Sequence, residues 1–545
     1  MTADSLDSDI IVVGSGPSGA LAAWQLVERG LRVLMLDIGK DDNKYSSLIP
    51  DMHYSEIRKY DTNQQRYFLG DNMEGIPRGN IRIGAQLTPP RQYINKGSEL
   101  LFPIKSNDFN PLQSVSIGGL GAGWGAGCFT YTNDELQKIG FPKSSINTYY
   151  NKVSKIIGIS GPNNDDICKN GFNIFSNVQP PLKLDHNGKT IFSRYLKIKK
   201  SINKKGLIIG RTPLAVLSQD LGDRKSNPYH DMEFWSNVRS SVFRPQYFVD
   251  LLKKNSLFSY NADCIVTSWE EHLNKVQIFT QNTKGEITKT YNSKALLLCA
   301  GAIQTGRIAL NSLKLKDYKT PILSNPYVYI PSINWATLGS KGIENRHSLS
   351  QLFGLYNATG DSFLNTSSLQ FYSYRSLLLF KLVKEIPLPP KSGLKIARLL
   401  MNALTIVGIH HPDDGNGDQY MYINNDNPFS LPTLNIAYKQ NKQSLDSNFL
   451  VEKNIFQLMR LLKCYPIKKI HPGKASSIHY AGTAPFNNYK LGANLDGCIS
   501  STKRIFIGDS STWRFLPSKG PTFTIMANAM RIADCIADQF SEKLK

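Results

Sequence analysis

Apolar and polar positions change period several times along this chain. Residues 10–13, Ile-Ile-Val-Val, form a short unbroken apolar run between Asp9 and Gly14. Such a run suits a strand buried on both faces of a parallel sheet. Ala23, Leu26 and Gly30 then follow with the spacing of a helix laid against that sheet, and Leu31–Leu36 (LRVLML) returns to a strand pattern. Near the end of the chain the helical period reappears at Phe523, Ile525, Met526, Ala529, Ile532, Ala533 and Ile536. Pro521 stands at its start, where a missing N–H costs nothing, so a helix from Pro521 is expected.

Two further apolar stretches carry regular basic interruptions. Tyr374–Ile386 contains Arg375, Lys381 and Lys384, and Gly393–Ile409 contains Lys395 and Arg398. Residues 386–393, IPLPPKSG, break them apart. Read as a basic amphipathic helix pair, 374–409 either packs inside the fold or a dimer or lies in a membrane interface. No stretch of eighteen uncharged apolar residues occurs, so no spanning helix is expected.

Between the first helix and strand, Gly14, Gly16 and Gly19 make a GxGxxG turn that includes Pro17 and Ser18. The glycines permit a tight turn, close approach of a pyrophosphate and helix–strand packing. Asp37 follows eighteen residues after Gly19, at the end of the second strand, where a carboxylate can accept ribose hydroxyls. The pattern predicts a dinucleotide fold and by itself does not separate FAD from NAD. A second glycine-rich stretch, SVSIGGLGAGWGAGCF, holds six glycines within Gly118–Gly127, with Trp124 embedded. A flexible linker does not need that tryptophan, and a second segment of close backbone approach fits a larger cofactor.

At these residues the chain resembles the glucose–methanol–choline (GMC) flavoprotein oxidoreductases. Gly140–Gly161 (GFPKSSINTYYNKVSKIIGISG) is similar to a segment of its sugar- and polyol-oxidising branches. ADCIVTSWEE at 262–271 resembles its adenine-side strand. CAGAIQTGR at 299–307 is similar to its AAGAIETPR pattern, and IHYAGTAPF at 478–486 to its H-x-x-GT motif. Residues 503–537, beginning KRIFIGDSS, resemble its closing strand, turn and helix. The blocks occur in the family's order, while roughly 320–470 matches weakly.

The resemblance implies an α/β chain, α+β overall. A discontinuous Rossmann-like FAD-binding domain would take 1–45, 110–160, 245–315 and 475–545. A sheet-and-helix substrate or cap domain would take 46–109, 161–244 and 316–474. It implies FAD held by Gly14, Gly16, Pro17, Ser18, Gly19 and Asp37, with Gly119, Gly121, Gly123, Trp124 and Gly125 beside the flavin. Cys264, Ala300, Gly301, Asp509 and Ser510 would add further contacts, and Pro521, Thr522 and Phe523 would present a helix start to the ring. His479 falls on the family's first catalytic histidine. The expected reaction moves hydride from a CH–OH group of a sugar, polyol or glycoconjugate to the flavin.

The position directly before Pro-Thr, where the family carries His or Asn, is Gly520 here. Another side chain, such as Lys519, Ser518 or a residue of the variable middle, fills that role. Otherwise one base suffices, or the protein keeps the flavin for other work. That other work would be internal redox of a bound sugar, electron transfer or a scaffold. His410 and His411 are further candidates, although their setting before Pro412-Asp-Asp reads as an exposed loop. Asp413 and Asp414 do not make a metal site without further ligands, and no metal is expected.

Charge and cysteines narrow the setting. Lys and Arg number 64 against 43 Asp and Glu, a net charge of +21. This favours an anionic partner, a phosphorylated or lipid-linked substrate or a membrane surface. Nucleic acid is not expected, because no zinc-finger spacing or aromatic-laced basic tract accompanies the charge. The seven cysteines are scattered and form no CxxC pair. With an acidic N-terminus and no signal pattern, the expectation is a cytoplasmic protein, at the inner face of the membrane if 374–409 binds lipid.

Overall fold

In the computed structural model, the described residues are 6–540 without 42, 77–87, 142–144, 163, 171–177, 341–344, 358–359, 361–362, 374–382, 384–385, 426, 428 and 489. Most of the first basic apolar stretch, including Arg375, Lys381 and Lys384, therefore lies outside the described residues.

Strand β1 (Ser8–Val13) is buried at every position and leads into helix α1 (Pro17–Glu28) and strand β2 (Val33–Leu36). Far along the chain, β3 (Leu207–Arg211) goes to a second sheet. Strands β4 (Phe258–Asn261), β5 (Ile265–Glu271), β6 (Val276–Gln281) and β7 (Tyr291–Leu298) return to the first. Helix α2 (Ala302–Ser312) follows β7. The first sheet runs β4-β2-β1-β7-β6-β5. The β4, β2, β1 and β7 pairings are parallel, and β6 joins β7 and β5 antiparallel.

The second sheet contains β8 (Tyr327–Asn334), β9 (Leu352–Tyr356) and β10 (Ser367–Ser373). After helix α3 (Pro390–Met401) come β11 (Leu404–His410) and β12 (Cys464–Pro466). The order is β12-β8-β11-β10-β9-β3, antiparallel throughout. Gly393–Ile409 is thus half helix and half strand, which corrects the expectation of one helix. Thr405, Ile406, Val407 and Ile409 are β-branched, and the antiparallel partners β8 and β10 take them into the sheet.

One face of this sheet is core. Val328, Ile330, Leu369, Val407 and Ile409 pack with Tyr195 and Met459 from the helices His186–Asn203 and Lys442–Leu461. The opposite face looks back toward the parallel sheet. The chain closes with β13 (Ile505–Ile507), parallel to β7, and helix α4 (Thr522–Phe540), which packs on α1. Helix α4 starts one residue later than the proline pattern predicts, with the Pro521 carbonyl accepting from the Ile525 amide at 2.9 Å.

Candidate active site

Between the two sheets lies a cavity of about 1730 Å³. That exceeds the space a small ligand alone requires and leaves room for a cofactor and a substrate together. Its inner end is made from backbone. The turn between β1 and α1 closes so tightly that a Cβ on Gly19 would stand 1.8 Å from the Gly14 carbonyl oxygen. The second glycine segment meets the first: a Cβ on Gly119 would come 3.0 Å from the Gly16 Cα. Ser15 ties the two together. Its hydroxyl accepts from the Gly118 amide at 2.8 Å and donates to Asp37. Asp37 also accepts from Tyr260 Oη at 3.1 Å, and burial pushes its carboxyl up to about 6. Among the described residues no side chain caps α1, so its first amides are left to whatever occupies the cavity.

A second strand–helix junction faces the same end. Gly301 precedes α2, and its amide donates to Asp509 Oδ2 at 2.9 Å, as does Thr305 Oγ1 at 2.6 Å. These bonds hold a fully buried carboxylate whose pKa is raised by burial. Of the cofactor residues named from sequence, all but Gly19 and Phe523 line the cavity. Gly19 sits behind the turn. Phe523 is a core side chain, stacked on Tyr150 with ring centroids 5.1 Å apart.

Midway along the cavity stands His479. Its Nδ1 lies 3.0 Å from Asn325 Oδ1. The Asn325 amide nitrogen faces three carbonyls, those of His411 (2.8 Å), Pro517 (3.0 Å) and Leu516 (3.3 Å). That fixes its oxygen toward the imidazole, so His479 carries its proton on Nδ1 and presents Nε2 as a lone pair. Burial lowers the His479 pKa to about 4, so the ring is neutral at physiological pH. Nε2 looks at Gly520: a Cβ there would be 3.9 Å from it and 3.3 Å from Phe129 Cδ2. Phe129, stacked on Phe353 at 4.2 Å, occupies part of the space that a side chain at 520 would need.

Two sequence expectations are corrected here. Lys519 does not reach the cavity: it is buried, with Nζ 2.7 Å from Glu135 and 2.9 Å from the Thr130 carbonyl. A charge in such a pair is held where it compensates its partner and is not free to serve as a base. Ser518 is likewise buried away from the cavity, its carbonyl accepting from Ser368 Oγ at 2.7 Å. His410 and His411 are not in an exposed loop. His410 ends β11, is buried, stacks on His479 (5.1 Å between centroids, planes 24° apart) and meets the Tyr327 ring in a tilted contact (4.5 Å). It lines the cavity, its Nδ1 has no hydrogen-bond partner among the described residues, and burial holds its pKa well below the usual value. His411 points away, accepting from or donating to Ser367 Oγ at 2.8 Å and 3.4 Å from Glu452.

Ser15 lies within the glycine turn, whereas Asn325 and the cavity-lining Tyr327 and Tyr372 belong to no motif. Tyr327 and Tyr372 reach the site through the pairings of β8 and β10 with β11.

Comparison with known proteins agrees with this architecture. The NAD(P)-binding Rossmann-like domain profile matches residues 12–41. No curated protein matches the sequence. Among solved structures, pyridoxine 4-oxidase from Mesorbium loti superposes with a TM-score of 0.57 at 13% identity, over 97% of this chain and 99% of that one. An FAD-dependent oxidoreductase from Chaetomium thermophilum, solved in complex with a fragment, gives 0.57 at 15% identity, over 98% and 99%. The fold is that of the GMC oxidoreductases. The Rossmann-like part holds the inner end of the cavity, and the antiparallel sheet walls the outer end. Among the described residues no helix is long and apolar enough to cross a membrane.

Proposed function

We propose that the protein is an FAD-dependent oxidoreductase that oxidises an alcohol carbon to a carbonyl. The observation that carries this reading is the His479 imidazole. It is neutral, oriented by Asn325, and directs Nε2 into the cavity beside Gly520 and the start of α4. The inner end fits the cofactor on its own evidence. It has two facing glycine turns, an uncapped helix start and a buried Asp37 for ribose hydroxyls. When bound, FAD supplies the two-electron acceptor for the hydride leaving the alcohol carbon.

The chain's own part is proton handling and positioning. His479 Nε2 takes the hydroxyl proton as the C–H bond is lost, leaving a carbonyl product and an imidazolium. Asn325 Oδ1 accepts from Nδ1–H and stabilises that cation, as it fixed the tautomer before. The backbone amides at the start of α4, from Thr522 on, would favour negative charge on a cofactor held there. The role that a side chain at 520 would play falls to His410, the second imidazole on the cavity wall, with its unpartnered nitrogen.

The test is spectroscopic. The purified protein should carry a flavin absorbance that a substrate alcohol bleaches under anaerobic conditions. A protein that takes up no FAD, or an H479A variant that bleaches as fast as the wild type, would end this reading.

A further inference from the structure

Beyond His410 the cavity continues along the face of the second sheet that is not core, and its lining changes character in order. Antiparallel register places Tyr327 opposite His410, Tyr329 opposite Gly408, Pro331 opposite Ile406 and Ile333 opposite Leu404. All of these except Gly408 line the cavity. Polar groups stand beside His479, and aliphatic side chains stand farther out. Six residues of strand separate the first pair from the last, roughly 20 Å of wall. Leu400 of α3 and Ile467 complete the apolar end.

Ile467 lines the cavity yet is 52% exposed, so it marks the mouth. Around it the surface is apolar where solvent would favour polar groups. Leu388, Leu399, Trp335 and Tyr465 are all exposed. Trp335 and Tyr465 are in edge contact at 6.2 Å, Tyr465 stands two residues before Ile467, and Leu399 adjoins the cavity-lining Leu400. Lys469 is paired with the buried Glu452 at 3.0 Å, and the other charged residues in the segments that carry this rim are basic. Residues 386–404 and 463–471 contain Lys391, Lys395, Arg398, Lys463, Lys468 and Lys469, and no Asp or Glu. An apolar rim with exposed aromatics and a predominantly basic surround complements an anionic lipid surface.

We infer that this mouth docks on an anionic bilayer and admits an alcohol carried on a long hydrocarbon body. The headgroup hydroxyl would reach His479 while the chain lies along Pro331, Ile333, Leu404 and Ile406. This deepens the proposed function and rests on it for the chemistry, though the docking does not. A sugar or polyol enters this picture as the headgroup of a lipid-linked substrate.

Two measurements test it. The holoprotein is floated with vesicles of phosphatidylcholine alone or with one part in three phosphatidylglycerol. Flotation only with the anionic vesicles, lost in K395E/R398E and reduced severalfold in L399D, is the expected result. No flotation, or flotation unchanged in both variants, overturns the docking. In the second measurement, anaerobic bleaching by a long-chain primary alcohol is compared with its short-chain counterpart in wild type and L404W. The long alcohol should act at far lower concentration in the wild type and lose that advantage in L404W. Equal potency of the two alcohols overturns the substrate class. Flotation as expected with no bleaching by any alcohol leaves the docking standing and ends the alcohol reading instead.

Discussion

The two ends of one cavity are built from different material. At the inner end the wall is main chain: Gly16 against Gly119, the Gly301 amide on Asp509, and the uncapped start of α1. At the outer end it is side chain: Tyr327, His410, Ile406, Leu404 and Ile333 on antiparallel strands. Backbone contacts demand glycine at fixed spacings, and few other residues satisfy them. A wall of side chains demands only suitable volume and polarity, and many sequences satisfy that. On the proposed function, the inner end would hold the cofactor and the outer end the substrate.

That contrast predicts how substitutions should sort. The largest effect belongs to G19A. With 1.8 Å between the new methyl and the Gly14 oxygen, the turn cannot close, and the protein should purify without flavin and with a lower Tm. Retained flavin in G19A would mean that the turn is softer than its geometry.

Next comes H479A. It should keep its flavin spectrum and lose about 10²- to 10⁴-fold in the rate of anaerobic bleaching. The pH profile of the wild type sharpens this. Neutral imidazole is the active form, so bleaching should be flat from neutral pH downward and fall as pH drops through about 4. Stability follows the same sign. The folded pKa of about 4 lies below the ordinary 6.5, so the unfolded chain takes up the proton first. The stability His479 contributes is present above pH 6.5 and lost as pH falls toward about 4.

D37N should weaken FAD by roughly tenfold to a hundredfold, the effect of one charged hydrogen-bonding group, measurable by flavin release on dilution. H410F should leave flavin content unchanged and slow bleaching by about tenfold, a change of ~1.4 kcal/mol in the barrier. If H410F instead emptied the protein of FAD, the separation of the two ends would fail. The smallest change is expected in G520A. Its methyl would press on Phe129 at 3.3 Å, costing about 1 kcal/mol of stability with little change in rate.

Much of the fold was legible because its signals are local. Ile10–Val13, the glycine turn, the following helix and Asp37 lie within one short stretch, and each answers a need of the backbone there. His479 could be marked by its neighbours Gly482 and Thr483. The outer end offered no such signal. His410 reads as a loop residue beside Pro412 until β8 and β10 pair with β11 and bury it. Lys519 reads as an available base until Glu135, far away in sequence, claims it.

The sequence by itself therefore determined the cofactor turn, the position of the closing helix and the absence of a side chain at Gly520. These are properties of neighbouring residues, and chain geometry transmits them without help. The tertiary structure alone decided which nitrogen of His479 faces the cavity, that His410 stacks beside it, and that the wall beyond turns apolar toward a basic rim. Each of those depends on the register between strands distant in sequence. Register is set by the packing of the whole sheet, and no short stretch of the chain contains it.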